Sequence, residues 1–192
     1  MNLTCRTSIT GVTESDGVIP NVIRLLCSTP VTTDAASTAL SRGSGVYAWW
    51  AAPTVFPDLP GMPNEADPTV RLLYVGRATS LRGRILRNHL RRSGSSTLRR
   101  TLAGLLMPSD GYRTMWTDRV VLVPEDEVRL TAWMRTNLRL TWAEHPYPTD
   151  IEDELIWRLV PPLNVSGVDK SDLQAAVVEA KATFEASATP PI

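Results

Sequence analysis

The sequence predicts a mixed α/β domain of the α+β type, because strand-like and helix-like segments follow one another along most of its 192 residues. Residues 45–50 and 71–75 are rich in β-branched and aromatic side chains, which favour strands. Residues 81–92 place apolar side chains on one side of a helix and arginines on the others. At this length we expect one domain with its own core, carrying short extensions.

The first elements are justified by composition. Residues 1–42 are rich in Thr, Ser and Ala and have weak hydrophobic periodicity, so we interpret them as an N-terminal extension with one or two short elements. The strands at 45–50 and 71–75 are expected to be antiparallel and to be joined by a loop at 52–68. Loops of this length are usually functional or mobile. Prolines exclude a strand or helix interior there: Pro53, Pro57, Pro60 and Pro63.

The remaining elements alternate between helices and short strands. Ser80 can cap the first helix, and two consecutive prolines, Pro161 and Pro162, end the helix before them. The pattern predicts two basic helices at 81–92 and 97–106. Strands are predicted at 120–123 and 138–142, and helices at 125–135 and 151–160. A final amphipathic helix is predicted at 172–186.

Composition excludes several classes of protein. No apolar run approaches the roughly 18 residues that a membrane span requires, and the first ten residues lack the features of a secretory signal. We therefore expect a cytoplasmic protein with no membrane partner. Two cysteines, Cys5 and Cys27, are too few for a zinc site and are interpreted as buried or incidental thiols.

Positive charge is concentrated in one stretch. The formal net charge is zero, which by itself argues against nucleic-acid binding. Residues 77–100, however, contain eight arginines and no acidic residue. Without acidic partners for ion pairs, contact with phosphates is favoured over a merely solvated face. These arginines are Arg77, Arg82, Arg84, Arg87, Arg91, Arg92, Arg99 and Arg100.

Two groups of residues carry the chemical signal. Gly45-Val46-Tyr47 is followed by Tyr74-Val75-Gly76, and Arg84 lies eight residues beyond the second glycine. Taken singly, a strand tyrosine is usually a packing residue, and an acid in the first turn of a helix is favoured by the helix dipole. A second group sits at offsets of zero, three, four, nine and twelve: Glu152, Leu155, Ile156, Pro161 and Asn164.

These motifs resemble the GIY-YIG nuclease family, and the second group is similar to the catalytic helix of its excision-repair members. The resemblance covers residues 43–166. It implies a small central antiparallel sheet of about three strands flanked by helices, placed between the extension at 1–42 and a C-terminal helix and tail at 167–192.

The resemblance also implies a metal-dependent endonuclease acting on DNA. Glu152 would bind Mg²⁺ or Mn²⁺, which one carboxylate together with waters and phosphate can satisfy. Tyr47 would act on the attacking water as general base or orienter, and Tyr74 would hydrogen-bond the water or the phosphate. Arg84 would contact the scissile phosphate, and Asn164 would fix the helix end or the active-site loop.

Two further expectations concern glycine and the other arginines. Gly76 would permit a turn close to the substrate. The seven arginines other than Arg84 would contact the nucleic-acid backbone.

One position departs from the family pattern. The family commonly places His or Tyr four residues after the arginine, where this chain has Asn88, with His89 one residue later. On a regular α-helix one residue rotates a side chain by about 100°. Either the helix is locally shifted, or this function is reduced or met by another group, so both Asn88 and His89 are candidates.

Other functions remain open at this point. A catalytically weak or inactive nucleic-acid-binding module would also suit the departure at Asn88 and the zero net charge. The same fold could also serve a substrate that is not a nucleic acid. The DNA structure recognised, a partner protein for targeting and the oligomeric state are left undetermined.

Overall fold

A computed structural model describes residues 15–164 and 172–190. The first fourteen residues of the expected N-terminal extension, including Cys5, lie outside that range. In chain order the elements are α1 (Ser15–Leu26), β1 (Val31–Thr32), α2 (Thr33–Ala39), β2 (Gly45–Ala51), β3 (Arg71–Ala78), α3 (Leu81–Gly83), a π-helix (Arg84–His89), a 3₁₀ turn (Ser93–Ser95), α4 (Thr97–Asp110), β4 (Thr114–Trp116), β5 (Val120–Leu122), α5 (Pro124–Asn137), β6 (Leu138–Glu144), α6 (Thr149–Leu159) and α7 (Asp172–Ala186). Within the described residues, no helix has the length and apolarity to cross a membrane.

The main sheet confirms the expected α/β class. It has four strands in the order β1-β6-β2-β3, and all its described pairings are antiparallel. The strand β1 contributes only two residues at one edge, so three longer strands form most of the sheet. A separate two-stranded sheet pairs β4 with β5.

The central strand β2 is buried on both faces, which its uninterrupted apolar sequence predicts. Because side chains alternate along a strand, Tyr47 and Trp49 enter the core on one side and Trp50 enters the core on the other. The core on the side of Trp50 also contains Leu26 of α1 and Leu155 of α6. The helix α1 thus covers one face of the sheet.

The proline-rich loop before β3 is held by a buried arginine. The guanidinium of Arg71 donates to the carbonyls of Pro53, Phe56 and Leu59. The amide of Leu72 also donates to the carbonyl of Met62, at 2.9 Å. The loop therefore follows the edge of β3 and is fixed to it by hydrogen bonds.

The first helix after β3 is not a regular α-helix, contrary to the expectation for residues 81–92. Ser80 caps α3 as predicted, accepting from the amide of Gly83 at 3.4 Å. From Arg84 the backbone then takes π-helical hydrogen bonding, in which the amide of Leu90 donates to the carbonyl of Ile85 at 3.0 Å. A π-turn contains one more residue than an α-turn, and such turns are frequent at functional sites.

The C-terminal helix packs into the same core as the sheet. Val177 and Phe184 of α7 are fully buried. At Gly104 of α4 an added Cβ would lie 2.1 Å from the carbonyl oxygen of Ala180. Only a residue without a Cβ lets the two helices approach so closely, so α4 and α7 form one packed pair.

Cys27, which follows α1, is a buried thiol as expected. Burial and the nearby charge of Glu65 raise its pKa to about 11. It is therefore a neutral packing residue near pH 7.

Candidate active site

A polar cavity of about 890 Å³ opens where β2, β3, the π-helix and α6 meet. The two strands supply the tyrosines, the π-helix and the residues after it supply arginines, and α6 supplies one carboxylate. Nine of the residues expected in the site line this cavity: Tyr47, Tyr74, Arg77, Arg84, Arg87, Asn88, Arg91, Arg92 and Glu152.

Tyr47 forms the inner part of the site. Its hydroxyl oxygen lies 2.6 Å from Nε2 of His89 and receives a longer hydrogen bond from Nε of Arg84, at 3.4 Å. The rings of Tyr47 and Tyr74 are neighbours, with centroids 6.4 Å apart. Tyr47 borders the cavity but exposes none of its surface. Contact of its hydroxyl with water in the cavity therefore requires a small displacement of a neighbouring side chain such as Arg84.

Gly76 serves the tyrosines rather than a turn, so the expectation for this glycine was wrong. It lies inside β3, directly opposite Tyr47 in the sheet register. A Cβ at Gly76 would lie 2.5 Å from the Tyr47 hydroxyl oxygen and 2.8 Å from Cε1 of Tyr74. The absence of a side chain leaves the space in which the two phenol rings sit.

The π-helix explains how His89, and not Asn88, reaches Tyr47. In an α-helix the residue four positions after Arg84 would lie on the same face as Arg84. The π-turn adds one residue, so His89, five positions on, lies beneath Arg84 and contacts the Tyr47 hydroxyl. Asn88 lines the cavity wall instead. Of the two alternatives left open by the sequence, the local shift of the helix is the one observed.

Glu152 lies in the first turn of α6 and is bound to an arginine. Its Oε2 accepts from Nε of Arg77 at 2.5 Å. Nη1 of Arg77 also donates to the hydroxyl of Thr149, at 2.6 Å. Glu154, two residues further on, instead pairs with Arg158 on the same helix.

Asn164 is buried behind β3, outside the cavity wall. Its Oδ1 accepts from the amide of Val75 at 2.9 Å, and its Nδ2 donates to the carbonyl of Val75 at 2.8 Å. The side chain therefore pairs with β3 as a neighbouring strand would, at the residue between Tyr74 and Gly76. The preceding residue, Leu163, extends this contact by donating its amide to the carbonyl of Leu73.

Of the seven arginines expected to bind nucleic acid, four are exposed, two are half-buried and one is fully buried. Arg77, Arg87, Arg91 and Arg92 are exposed on the cavity wall. Arg99, by contrast, is completely buried, so its assignment to nucleic-acid binding was wrong.

Arg99 has a structural function that its position at the start of α4 makes possible. Its guanidinium pairs with Glu127, at 2.6 Å, and donates to the backbone carbonyl of His89, at 3.1 Å. Arg82 and Arg100 are half-buried and donate to the backbone carbonyls of Ser37 and Ser93. Both stabilise local structure in this way.

The protonation states of Tyr47, Tyr74 and His89 are set mainly by burial. Burial raises the pKa of Tyr47 and of Tyr74, an effect that the charge of Arg84 partly opposes. Burial, with the charges of Arg84 and Arg99, holds the pKa of His89 well below its usual range. Near pH 7 both phenols are thus protonated and the imidazole is neutral.

Sequence reasoning missed two contacts. Arg77 was expected to bind nucleic acid but is bonded to the carboxylate of Glu152. Ser96 is not among the candidate site residues from the sequence, yet its hydroxyl lies 2.6 Å from Nδ1 of His89. A serine directly before a helical segment is a signal for an N-cap, and it could have placed Ser96 at the start of α4.

The residues present fit a divalent cation bound through a single carboxylate. Within the described part of the chain, no cluster of three or more His, Cys, Asp or Glu side chains is available to hold a metal. Glu152 borders the cavity with its side chain 20% exposed. One carboxylate beside open space for waters and a phosphate is a donor set that Mg²⁺ or Mn²⁺ accepts.

Comparison with known proteins agrees with this geometry. A family model described as the GIY-YIG catalytic domain matches residues 45–183. No curated protein and no solved structure matches the chain. The match covers well over half of the sequence and contains both tyrosines, Arg84, His89, Glu152 and Asn164, and the chain therefore belongs to the GIY-YIG family of nuclease-type domains.

Proposed function

We propose that this protein is a divalent-metal-dependent endonuclease that hydrolyses phosphodiester bonds in DNA. The observation that carries the proposal is the convergence of Tyr47, Tyr74, Arg84 and Glu152 on one cavity whose rim carries exposed arginines. A phosphodiester backbone is the substrate that such a cavity suits, because it presents negative charge both at the reacting phosphate and on either side of it.

Arg84 is the group proposed to hold the scissile phosphate. Its planar guanidinium can donate two parallel hydrogen bonds to phosphate oxygens. In the free protein its Nε points to the Tyr47 hydroxyl and its Nη1 donates to the carbonyl of Ser95, at 2.9 Å. Movement of Arg84 onto a phosphate would also uncover Tyr47 for the attacking water.

The two tyrosines are proposed to orient and activate the attacking water. Tyr47 would orient it and accept its proton when the phenol is in its phenolate form, and Tyr74 would donate to the water or to a phosphate oxygen. Because burial raises the pKa of both phenols, the phenolate of Tyr47 requires donors directed at its oxygen. Among the described residues, Arg84 and His89 are the side chains hydrogen-bonded to that oxygen. His89 would keep its contact when Arg84 moves to the phosphate.

Glu152 is proposed to hold the metal ion. A bound Mg²⁺ or Mn²⁺ would neutralise charge on the phosphate oxygens and support the leaving oxygen. Arg77 competes for the same carboxylate. On DNA binding Arg77 would leave Glu152 and contact a flanking phosphate. The same arginine would thus pair with Glu152 in the free protein and with DNA in the complex.

The proposal is tested by cleavage of supercoiled plasmid and of branched duplex DNA with Mg²⁺ or Mn²⁺. We expect metal-dependent nicking that Glu152→Gln and Arg84→Gln each lower by about 100-fold or more. Glu154→Gln is the matched control, since Glu154 lies on the same helix and pairs only with Arg158 among the described residues. Cleavage by the Glu152 variant at the wild-type rate would refute the proposed mechanism.

A binding module without turnover is the competing proposal. Salt-dependent DNA binding with no cleavage across metals and DNA structures would favour that module. Absence of binding to any nucleic acid at low salt would instead indicate another substrate for the cavity.

A further inference from the structure

Ser96 completes a chain of hydrogen bonds that begins at the cavity. The hydroxyl of Tyr47 contacts Nε2 of His89 at 2.6 Å, and Nδ1 of His89 contacts the hydroxyl of Ser96 at 2.6 Å. All three side chains are fully buried. Because the imidazole is neutral, only one of its two nitrogens carries a hydrogen, so the three groups must share their protons in one of two ways.

In the first arrangement the hydroxyl of Ser96 donates to Nδ1 of His89. The hydrogen of the imidazole is then on Nε2 and is donated to the Tyr47 oxygen. In the second arrangement every direction is reversed: Tyr47 donates to Nε2, and the hydrogen on Nδ1 is donated to Ser96. The two arrangements differ in which hydroxyl hydrogen is left without a protein acceptor.

The position of Ser96 decides between them. As the N-cap of α4 its oxygen already accepts from the amide of Arg99, at 3.0 Å. Among the described residues, Nδ1 of His89 is the only acceptor within hydrogen-bond reach of the Ser96 hydroxyl. The second arrangement would therefore leave a hydroxyl hydrogen unpaired in the interior, which is unfavourable because the buried donor has lost its hydrogen bond to water.

The first arrangement leaves the unpaired hydrogen on Tyr47 instead. Tyr47 borders the cavity, and Ser96 is not among the residues that line it. A displacement of Arg84 that opens Tyr47 therefore lets water or a phosphate oxygen of a bound substrate accept that hydrogen. The Tyr47 oxygen then receives hydrogen bonds from Nε2 of His89 and from Nε of Arg84. Donors on the phenol oxygen favour its phenolate over its neutral form, and the donor from His89 remains when Arg84 moves to a phosphate.

The turn that carries Ser96 is fixed from several sides. Ser93 donates its amide and hydroxyl to Glu127, at 2.7 and 2.6 Å. The carbonyls of Ser93 and Ser95 accept from Arg100 and Arg84, both at 2.9 Å. The backbone of His89 is held in turn by the guanidinium of Arg99. Ser96 and the imidazole are thus held against each other by neighbours that are themselves hydrogen-bonded.

We infer that Ser96 is a positioning residue that holds His89 in the tautomer with its hydrogen on Nε2, so that His89 acts as a hydrogen-bond donor to Tyr47 and not as the acceptor of its proton. During activation the Tyr47 proton leaves to water in the cavity, and no proton passes through the imidazole. The contribution to cleavage rests on the proposed nuclease function, whereas the tautomer is a property of the free protein.

The tautomer is measured directly by nitrogen NMR of histidine labelled in the ring with ¹⁵N. The chain has only two histidines, and a His145→Gln variant assigns the signals. At pH 7.5 we expect Nε2 of His89 to carry the hydrogen and Nδ1 to have the shift of a bare acceptor nitrogen. A hydrogen on Nδ1 in the wild-type protein overturns the inference, whether or not the protein cleaves DNA.

Two variants of Ser96 test the consequence for cleavage. Aspartate also caps helices but only accepts hydrogen bonds, so Ser96→Asp is expected to place a hydrogen on Nδ1 and to lower the cleavage rate by about 100-fold or more, with DNA affinity unchanged. Ser96→Thr keeps the hydroxyl and is expected to retain the wild-type tautomer and rate. Full cleavage by Ser96→Asp with a hydrogen on Nδ1 and none on Nε2 would refute the importance of the tautomer. If neither variant folds, the wild-type spectrum still decides the assignment.

Discussion

The hydroxyl of Tyr47 and the imidazole of His89 form a buried hydrogen bond, with 2.6 Å between the Tyr47 oxygen and Nε2. The bond joins the central strand β2 to the π-helix, in which His89 lies five residues after Arg84. We expect Tyr47→Phe to lower DNA cleavage by about 100-fold or more while leaving DNA affinity close to wild type, because only the hydroxyl is removed.

Tyr112→Phe is the control for that change. Tyr112 is also a buried tyrosine and lies at the start of the β4 region, outside the cavity wall. Its variant is expected to cleave at the wild-type rate. Equal rates for the Tyr47 and Tyr112 variants would remove Tyr47 from the mechanism.

Protonation of His89 is expected to destabilise the fold. Burial and the neighbouring guanidinium groups of Arg84 and Arg99 lower its pKa in the folded protein, whereas the unfolded chain binds a proton near pH 6.5. As the pH falls below about 6.5, the unfolded state gains a proton that the folded state does not, so stability falls by up to about 1.4 kcal/mol per pH unit.

Urea unfolding of wild type and His89→Gln between pH 7.5 and 5 measures this effect. The variant should show the shallower decline, since His145 is common to both proteins. The carboxylates with lowered pKa values, Asp118 and Asp126, titrate below this range. Parallel curves would show that His89 binds a proton in the folded protein as easily as in the unfolded chain.

The exposed arginines of the cavity rim should control the salt dependence of DNA binding. Arg87→Gln and Arg91→Gln are each expected to reduce the slope of log affinity against log salt concentration by about one unit. Arg82→Gln is the matched control, because Arg82 lies on the same helical segment but donates to the carbonyl of Ser37. Fluorescence anisotropy with a labelled duplex at several salt concentrations gives the slopes, and an equal loss in all three variants would contradict the proposed surface.

The space at Gly76 is expected to tolerate no side chain. In Gly76→Ala the new Cβ meets the rings of Tyr47 and Tyr74, and overpacking of this kind costs about 1–3 kcal/mol. Gly17→Ala is the contrasting change, since nothing lies within 4 Å of a Cβ at that helical position and alanine stabilises helices by up to about 1 kcal/mol. Thermal unfolding should move the two melting temperatures in opposite directions, and a neutral Gly76 variant would show that the rings can shift apart.

Val160, which ends α6, is in the left-handed region with φ of 45°. A β-branched side chain is strained there by roughly 1–2 kcal/mol, whereas asparagine adopts this conformation easily. Val160 is 53% exposed, so Val160→Asn is expected to raise stability by about 1 kcal/mol. Val128→Asn, at an exposed position with ordinary helical backbone, should show no such gain, and a destabilised Val160 variant would indicate that its exposed methyl groups contribute more than the strain.

Much of the architecture follows from local sequence pattern, and the exceptions have physical causes. The strands around Tyr47 and Tyr74 were predicted because they are rich in β-branched and aromatic residues, and the helix with Glu152 because two prolines mark its end. The two-residue strand β1 was missed, since so short an edge strand exists only through its pairing with β6. The loop before β3 contains no local signal for its order, which comes from the distant contacts of Arg71.

The sequence predicted which residues form the candidate site but not which of them contact one another. The spacing of the sequence motifs was enough to assign Tyr47, Arg84 and Glu152 to one site. Composition alone could not separate the exposed Arg91 from the buried Arg99 in one basic stretch, since that difference depends on Glu127 in another helix. The contact between His89 and Ser96 depends on a backbone hydrogen-bonding pattern that side-chain periodicity does not reveal.

The π-helix between Arg84 and His89 has a consequence for how this chain is aligned with others. A regular helix that offers the same two side chains to a phenol needs three residues between them, and this chain uses four. An alignment that keeps arginine on arginine and histidine on histidine must therefore open a one-residue gap inside a helix, where alignment methods penalise gaps most. Patterns that allow either count would recover chains in which a histidine of this kind has been scored as lost.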